Sequence, residues 1–299
     1  MKRPAYRFTV ETTIHVREDL WRSVIGRQLM RALVEEFSER ESAHCGMVDA
    51  IFAEPRLAAI YDSLDSDRSD LDVYASVVDE LAAQSVLDLG CGTGTFACRL
   101  VNRGREVTAV DPAAASIAVA QRKAGAERVR WLAGDAESLP ALQVDLVTMT
   151  ANVAQVFVTD DEWMSTLRAS FAALRPGGHL VFEVRDPSRE AWREWNREES
   201  HRRVDVADIG TVETWVELTT VQPPLVAFRS TFVFEADGLV LTSESTLCFR
   251  SHTQVLDSLS DAGFLTQEVR DAPDRPGREL VFIAMRPEDG DSTCRHRGH

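Results

Sequence analysis

Three glycines at every second position close a short apolar run, Val86-Leu87-Asp88-Leu89-Gly90-Cys91-Gly92-Thr93-Gly94-Thr95-Phe96-Ala97. The run predicts a strand, the glycines a tight turn, and the residues after Gly94 the first turn of a helix. Glycine reaches positive φ and lets a ligand approach the backbone closely. A helix N-terminus presents free N–H groups and a partial positive charge. Such punctuation constrains the chain to a βα unit whose turn is a nucleotide-type site.

Downstream, strand and helix patterns alternate, which predicts a parallel sheet covered on both faces. Strands are expected at 85–89, 106–110, 128–132, 144–149, 178–184, 265–270 and 279–285. Residues 203–250 differ in texture. Runs such as Thr211 to Leu218 and Leu225 to Phe234, punctuated by Pro223-Pro224 and Asp237-Gly238, predict an antiparallel insert of three or four strands. Ahead of the sheet, alternation over 6–16 predicts a strand, the apolar spacing from Leu20 to Phe37 a helix, and two further helices are expected near 54–65 and 69–83. The expected organisation is an N-terminal strand and helical cap at 1–84, a catalytic unit at 85–286 with its insert, and a frayed polar tail at 287–299.

The glycines alone leave two ligands open. Gly92-Thr93-Gly94-Thr95-Phe96-Ala97 satisfies the dinucleotide pattern G-x-G-x-x-A. Asp88 argues otherwise. A carboxylate two residues before the first glycine would repel a pyrophosphate and suits a cationic ligand. The second strand ends at Asp111-Pro112, where an acidic residue can accept from two ribose hydroxyls or act as a plain helix cap. The third leads to Gly134-Asp135-Ala136, where the carboxylate can accept from an adenine amine and the following N–H can donate, or the pair can simply turn the chain. Thr150 and Asn152, after the fourth strand, would line the neighbouring pocket.

These residues together resemble the small-molecule branch of the class I S-adenosylmethionine-dependent methyltransferases. The resemblance spans residues ~55–286 on the spacing of alternating strand and helix units. It implies an α/β, Rossmann-like fold with a seven-stranded, mostly parallel sheet and an antiparallel last strand, here Leu280 to Met285. It implies that Asp88, Gly90, Cys91, Gly92 and Gly94 surround the methionine part of S-adenosyl-L-methionine. Asp111 with Pro112 would hold the ribose, Asp135 with Ala136 the adenine, and Tyr61 or Tyr74 would close over the cofactor. The insert would roof the pocket of a small-molecule acceptor.

Composition narrows the partners. The 299 residues carry a net charge of −15, which disfavours nucleic acid, since phosphate contacts need Lys and Arg. No run of 18 apolar residues suggests a membrane span, and the first residues lack an apolar signal core. Five scattered cysteines without a C-x-x-C pair predict neither zinc nor a disulfide framework, and a cytoplasmic setting is expected. Cys91 and Cys98 read as small packed residues rather than nucleophiles. No catalytic base stands out. Arg185 and Asp186, at a strand's carboxyl end, and His252, opening a helix, are the candidates. Trp192 and Trp195, three apart on an expected helix, are either core or a pocket wall. A non-catalytic cofactor-binding protein of the same fold, or a protein methyltransferase, stays open at this level. So does a homodimer formed through the N-terminal strand and helix.

Overall fold

A computed structural model describes residues 48–288. The first strand, β1 (Ser85–Leu89), is buried on both faces, as a central parallel strand must be. It lies between β2 (Glu106–Asp111) and β4 (Val144–Met149), parallel to both. With β3 (Arg130–Ala133), β5 (Leu174–Arg185), β10 (Leu265–Asp271) and β11 (Glu279–Met285), the sheet has seven strands in the order β10-β11-β5-β4-β1-β2-β3. β11 inserts antiparallel between β5 and β10. Strand order reverses on either side of β1, so the carboxyl ends of β1 and β4 flank the crevice where ligands bind in such sheets.

Side chains alternate across the sheet with period two. One face sends Leu87, Leu89, Val147, Met149, Leu180 and Phe182 against Trp163, Leu167, Val255 and Leu259. These come from α6 (Asp160–Ala173) and α8 (His252–Asp261). The other face sends Val86, Ala109, Leu146, Val181 and Ile283 against α3 (Asp70–Glu80) and α4 (Thr95–Asn102). Leu71, Tyr74 and Val78 of α3 belong to this second core. Each fully buried aliphatic side chain contributes about 1.5–3 kcal/mol, and a boundary at 84/85 would cut through this shared packing. α3 is thus a layer on the sheet rather than part of a cap lying ahead of it.

The insert forms its own four-stranded antiparallel sheet, β6 (Arg202–Val206), β7 (Gly210–Gln222), β8 (Leu225–Phe234) and β9 (Val240–Cys248), paired in that order. Its inner face meets α2 (Pro55–Leu64): Leu57, Ile60 and Leu64 pack on Val212, Phe232 and Phe234. Just before α2 lies the single turn α1 (Ala50–Ala53), tied to the insert by Ser245 Oγ donating to Asp49 at 2.6 Å. α5 (Ala114–Ala120) follows β2, and α7 (Arg197–Ser200) leads into the insert.

Several boundaries differ from the sequence reading. β3 starts at Arg130 rather than 128 because a 3₁₀ turn, Ala126–Arg128, takes up the preceding residues. β5 starts at Leu174, directly after α6, and absorbs Arg175-Pro176-Gly177-Gly178 as an irregularity against β4. Trp192 lies on a one-turn 3₁₀ helix, Ala191–Glu194, and Trp195 follows it, so the two do not share an α-helix. The strand and helix expected over 6–16 and 20–37, and the tail from 290, lie outside the described residues.

Candidate functional site

The glycine turn is built to stay open at one point. Gly90 and Cys91 N–H groups both donate to Val110 O, at 2.9 and 3.1 Å, tying the turn to β2. Gly94 caps α4 with a φ of +74°. A Cβ there would fall 2.4 Å from Trp131 and 2.7 Å from the Ala120 Cβ, so Gly94 permits the helix to sit on β3. Gly92, at φ +52°, has nothing within 4 Å of an added Cβ. Its open side is available for a ligand lying against the backbone.

Two carboxylates stand at the ends of the strands that flank this turn. Asp111 is buried, and its Oδ2 accepts from Gly92 N–H at 2.7 Å while Oδ1 accepts from Ala113 N–H at 2.8 Å. Burial pushes its carboxyl up and the two N–H donors pull it back. Each oxygen keeps a lone pair for a further donor, so bracing the turn and accepting a hydroxyl are compatible. Asp88 is 1% exposed. Its Oδ1 accepts from Thr148 Oγ1 at 3.2 Å, and its Oδ2 has no hydrogen-bond partner. Burial is the main cause pushing this carboxyl up to about 7, with the Thr148 hydrogen bond opposing and the Asp111 charge reinforcing. A buried carboxylate oxygen without a donor carries a desolvation cost that a cationic ligand removes.

A polar network joins α2 to the turn. Lys123 Nζ lies 2.6 Å from both Asp62 Oδ2 and Thr95 Oγ1, and Thr93 Oγ1 donates to Asp62 at 2.6 Å. Tyr61 therefore sits beside a residue that contacts the turn, with its ring 5.4 Å from that of Phe52. Tyr74 goes elsewhere. It is buried, and its hydroxyl interacts with Glu183. Cys91 is half-buried, and burial pushes its thiol well up, which fits a packed side chain rather than a nucleophile.

Asp135 is exposed, and its Oδ1 accepts from Glu137 and Ser138 N–H at 3.1 and 3.0 Å, closing a turn. Gly134 N–H donates to Asp111 O at 3.0 Å, which brings that turn to the end of β2, and Ala136 is buried there. Pro112 is exposed. Thr150 and Asn152 are buried after β4. Asn152 has a left-handed backbone, φ 62°. Its N–H donates to Glu183 Oε1 at 2.5 Å and its Nδ2 to Glu279 Oε2 at 3.5 Å, while its Oδ1 has no partner.

The three catalytic candidates separate. Arg185 joins the site: Nη1 donates to Gln155 Oε1 at 3.1 Å, Nε lies 3.5 Å from Glu279 Oε1, and the guanidinium is 5.6 Å from the Trp195 ring centre. Burial pulls its pKa down, against the Glu279 charge. Asp186 caps the turn Pro187–Arg189, accepting from Ser188 N–H at 2.8 Å. His252 is exposed at the start of α8, its ring 5.6 Å from Phe282. Neither joins the constellation around the turn, because each serves the end of a local element.

Glu183 and Glu279 were missed. Both are buried, at 2% and 4% exposure. The available signal was a carboxylate interrupting the apolar run Leu180-Val181-Phe182-Glu183-Val184, and another opening Glu279-Leu280-Val281-Phe282. Glu279 also lines a cavity of about 390 Å³, with Arg185, Trp195, Arg275, Asp274 and Glu194. Among the described residues no group of three His, Cys, Asp or Glu side chains is placed to hold a metal ion. No helix among them is long and apolar enough to cross a membrane.

Comparison with known proteins gives a consistent result. Residues 86–178 match the methyltransferase domain family model. The cypemycin N-terminal methyltransferase of a Streptomyces species is 33% identical over 109 residues, covering 36% of this chain and 44% of that protein. The malonyl-[acyl-carrier protein] O-methyltransferase of Serratia marcescens is 29% identical over 171 residues, covering 55% and 60%. The chain thus spans about half the length of these curated relatives. Among solved structures, a sugar N-methyltransferase from a Streptoalloteichus species superposes with a TM-score of 0.63 at 22% identity, over 77% of this chain and 92% of that one. An S-adenosylmethionine-dependent methyltransferase from Clostridium acetobutylicum reaches 0.62 at 18% identity, over 78% and 98%.

Proposed function

We propose that this chain, which belongs through residues 86–178 to the class I S-adenosylmethionine-dependent methyltransferases, transfers a methyl group from S-adenosyl-L-methionine to a small-molecule acceptor by in-line displacement. The observations that carry the reading are the unpartnered, buried Oδ2 of Asp88, two residues before the glycine turn, and the open side of Gly92 within that turn. A buried carboxyl without a donor at the strand end that leads into the turn suits a positively charged sulfonium with an amino group and disfavours a pyrophosphate.

When bound, the cofactor supplies a methyl group on positively charged sulfur, already activated for transfer. Gly90, Cys91, Gly92 and Gly94 would border its methionine part, with Asp88 facing the positive charge directly or through water. Asp111 would accept from the ribose and Pro112 flank it. Asp135, through its second oxygen, and the Ala136 N–H would take the adenine edge. Thr150 and Asn152 would line the space beside the methyl group, and Tyr61 would cover it. Tyr74 is better assigned to the acceptor side, where its hydroxyl already meets Glu183. The chain's main task is then alignment and exclusion of water.

The cavity of about 390 Å³ beside Glu279 and Trp195 lies within the range of small-molecule sites. The unpaired Cys91, Cys98 and Cys248 support a reducing, cytoplasmic setting. Calorimetric titration tests the proposal: S-adenosylmethionine should bind in the micromolar range and NAD should not. Binding of NAD without S-adenosylmethionine would refute it.

A further inference from the structure

Asn152 stands between two buried carboxylates and leaves its own carbonyl oxygen unmet. It and Ala151 both have left-handed backbones, φ 62° and 60°, a conformation that costs about 1–3 kcal/mol per residue and persists only where surroundings enforce it. Glu183 accepts the Asn152 N–H and Glu279 the Asn152 Nδ2. Because a carboxylate only accepts, the amide nitrogen must face Glu279, which fixes Oδ1 as the free end. That oxygen is buried and without a partner, on a residue 7% exposed.

The nearby cations are unevenly shared. Two carboxylates, 2% and 4% exposed, meet one well-buried cation, Arg185, whose Nε is 3.5 Å from Glu279. Arg275 reaches Glu279 at 3.2 Å, but half of its side chain is in solvent. The hydrogen-bond donors around Glu183 are neutral, the Asn152 N–H and the Tyr74 hydroxyl. Both cations therefore serve Glu279, and Glu183, whose Oε2 has no hydrogen-bond partner, is the carboxyl without a positively charged donor at ion-pair distance among the described residues. A carboxylate acceptor would be repelled here. A hydroxyl would satisfy one oxygen and leave the charge uncompensated. An ammonium group answers both deficits.

We propose that Glu183, Glu279 and the Asn152 amide oxygen form an ammonium site, and that the methyl acceptor is an amine on a polar small molecule whose remainder lies in the cavity beside Trp195. This rests on the methyltransferase reading and names its acceptor class. The amine enters protonated. Its N–H bond breaks, an O–H bond forms on a carboxylate of the pair, and the electron pair stays on nitrogen, ready for the methyl carbon. Burial, reinforced by the Glu279 charge, pushes the Glu183 carboxyl up to about 8 in the ligand-free protein, so it gives its proton to solvent as the ammonium enters and, once ionised, is the base that takes the amine's proton. Arg185 and Trp195 would hold the polar remainder.

Matched amine and hydroxyl probes test this by calorimetry at pH 7 with S-adenosylhomocysteine present: ethanolamine against ethylene glycol, serinol against glycerol, glucosamine against glucose. In at least one pair the amine should bind about tenfold more tightly than its hydroxyl counterpart. Glu279→Gln and Glu183→Gln should each erase most of that difference while S-adenosylhomocysteine affinity stays within about twofold, a control that also reports the fold. Equal binding within every pair overturns the ammonium site, as does a preference that survives both substitutions. Should the native chain fail to bind S-adenosylhomocysteine, the methyltransferase reading itself falls. If either variant fails to fold, the native pair comparison decides.

Discussion

Replacing Asp88 with asparagine should stabilise the ligand-free protein at alkaline pH while removing its affinity for S-adenosylmethionine. The native carboxyl is raised from 3.8 to about 7, chiefly by burial, under the influence of Thr148, Asp111 and Arg68. A raised value means that the folded state holds this proton more tightly than the unfolded chain does. The favourable contribution is complete below about pH 4 and is lost as pH rises to about 7. Fully ionised, the group costs about 4 kcal/mol, at 1.36 kcal/mol per pH unit. Asparagine does not titrate, but its amide introduces donors with their own needs, at about 1–3 kcal/mol. The pH dependence of the difference isolates the titration from that cost. Relative to the native chain, Asp88→Asn should lose about 2.5 kcal/mol of its advantage between pH 8 and pH 5. Urea unfolding of both proteins at the two pH values measures this, and calorimetry should show a cofactor affinity at least about tenfold weaker. A stability difference identical at pH 5 and pH 8 would refute the reasoning, because Asp88 would then not be a buried, titrating anion.

The glycine turn offers a paired contrast. Gly94→Ala drives its Cβ to 2.4 Å from Trp131 and should cost several kcal/mol, about 3 or more, in a thermal melt. Gly92→Ala meets nothing within 4 Å and should cost only about 1–2 kcal/mol for its left-handed backbone, yet weaken S-adenosylmethionine binding about tenfold by filling the open side. Asp111→Ala releases the Gly92 and Ala113 N–H groups, each a bond to a charged acceptor worth about 1.5–3 kcal/mol. Titration should show weakened cofactor binding alongside a lower melting temperature, and unchanged affinity would remove the ribose assignment. Lys123→Met breaks contacts at 2.6 Å to Asp62 and Thr95. These are partly exposed, so the stability cost should stay under about 1 kcal/mol, while stopped-flow dissociation of the cofactor should speed up if α2 covers it.

Legibility in the sequence followed the range of the interaction. β1, β2, β4, β10 and β11 were readable because period-two or fully apolar runs bounded by turn residues report burial directly. The insert was readable from its turns. β5 was mislocated at its start, since Pro176-Gly177-Gly178 signals a break and the pairing of Leu174 with Val144 is decided by a strand distant in sequence. Asp88 and Asp111 could be singled out because the carboxyl end of a strand is a position that spacing reveals. Asp186, at a strand's end, and His252, at a helix start, show that location at an element's end does not specify what the side chain meets: one caps the next turn and the other is exposed.

The chain order of strands, helices and glycines by itself determined the sheet and the open turn, and placed Asp88 at the strand end that leads into it. Those depend on local backbone geometry and on periodicities of two to four residues, which any short window contains. Tertiary structure alone decided that Glu183 of β5, Glu279 of β11, Asn152 after β4 and Tyr74 of α3 converge. Those residues are up to 205 positions apart, and each looks unremarkable in its own segment. Only packing shows that two carboxyls have been taken out of water with both neighbouring cations on Glu279 and none on Glu183, and that arrangement is what supports the proposed acceptor.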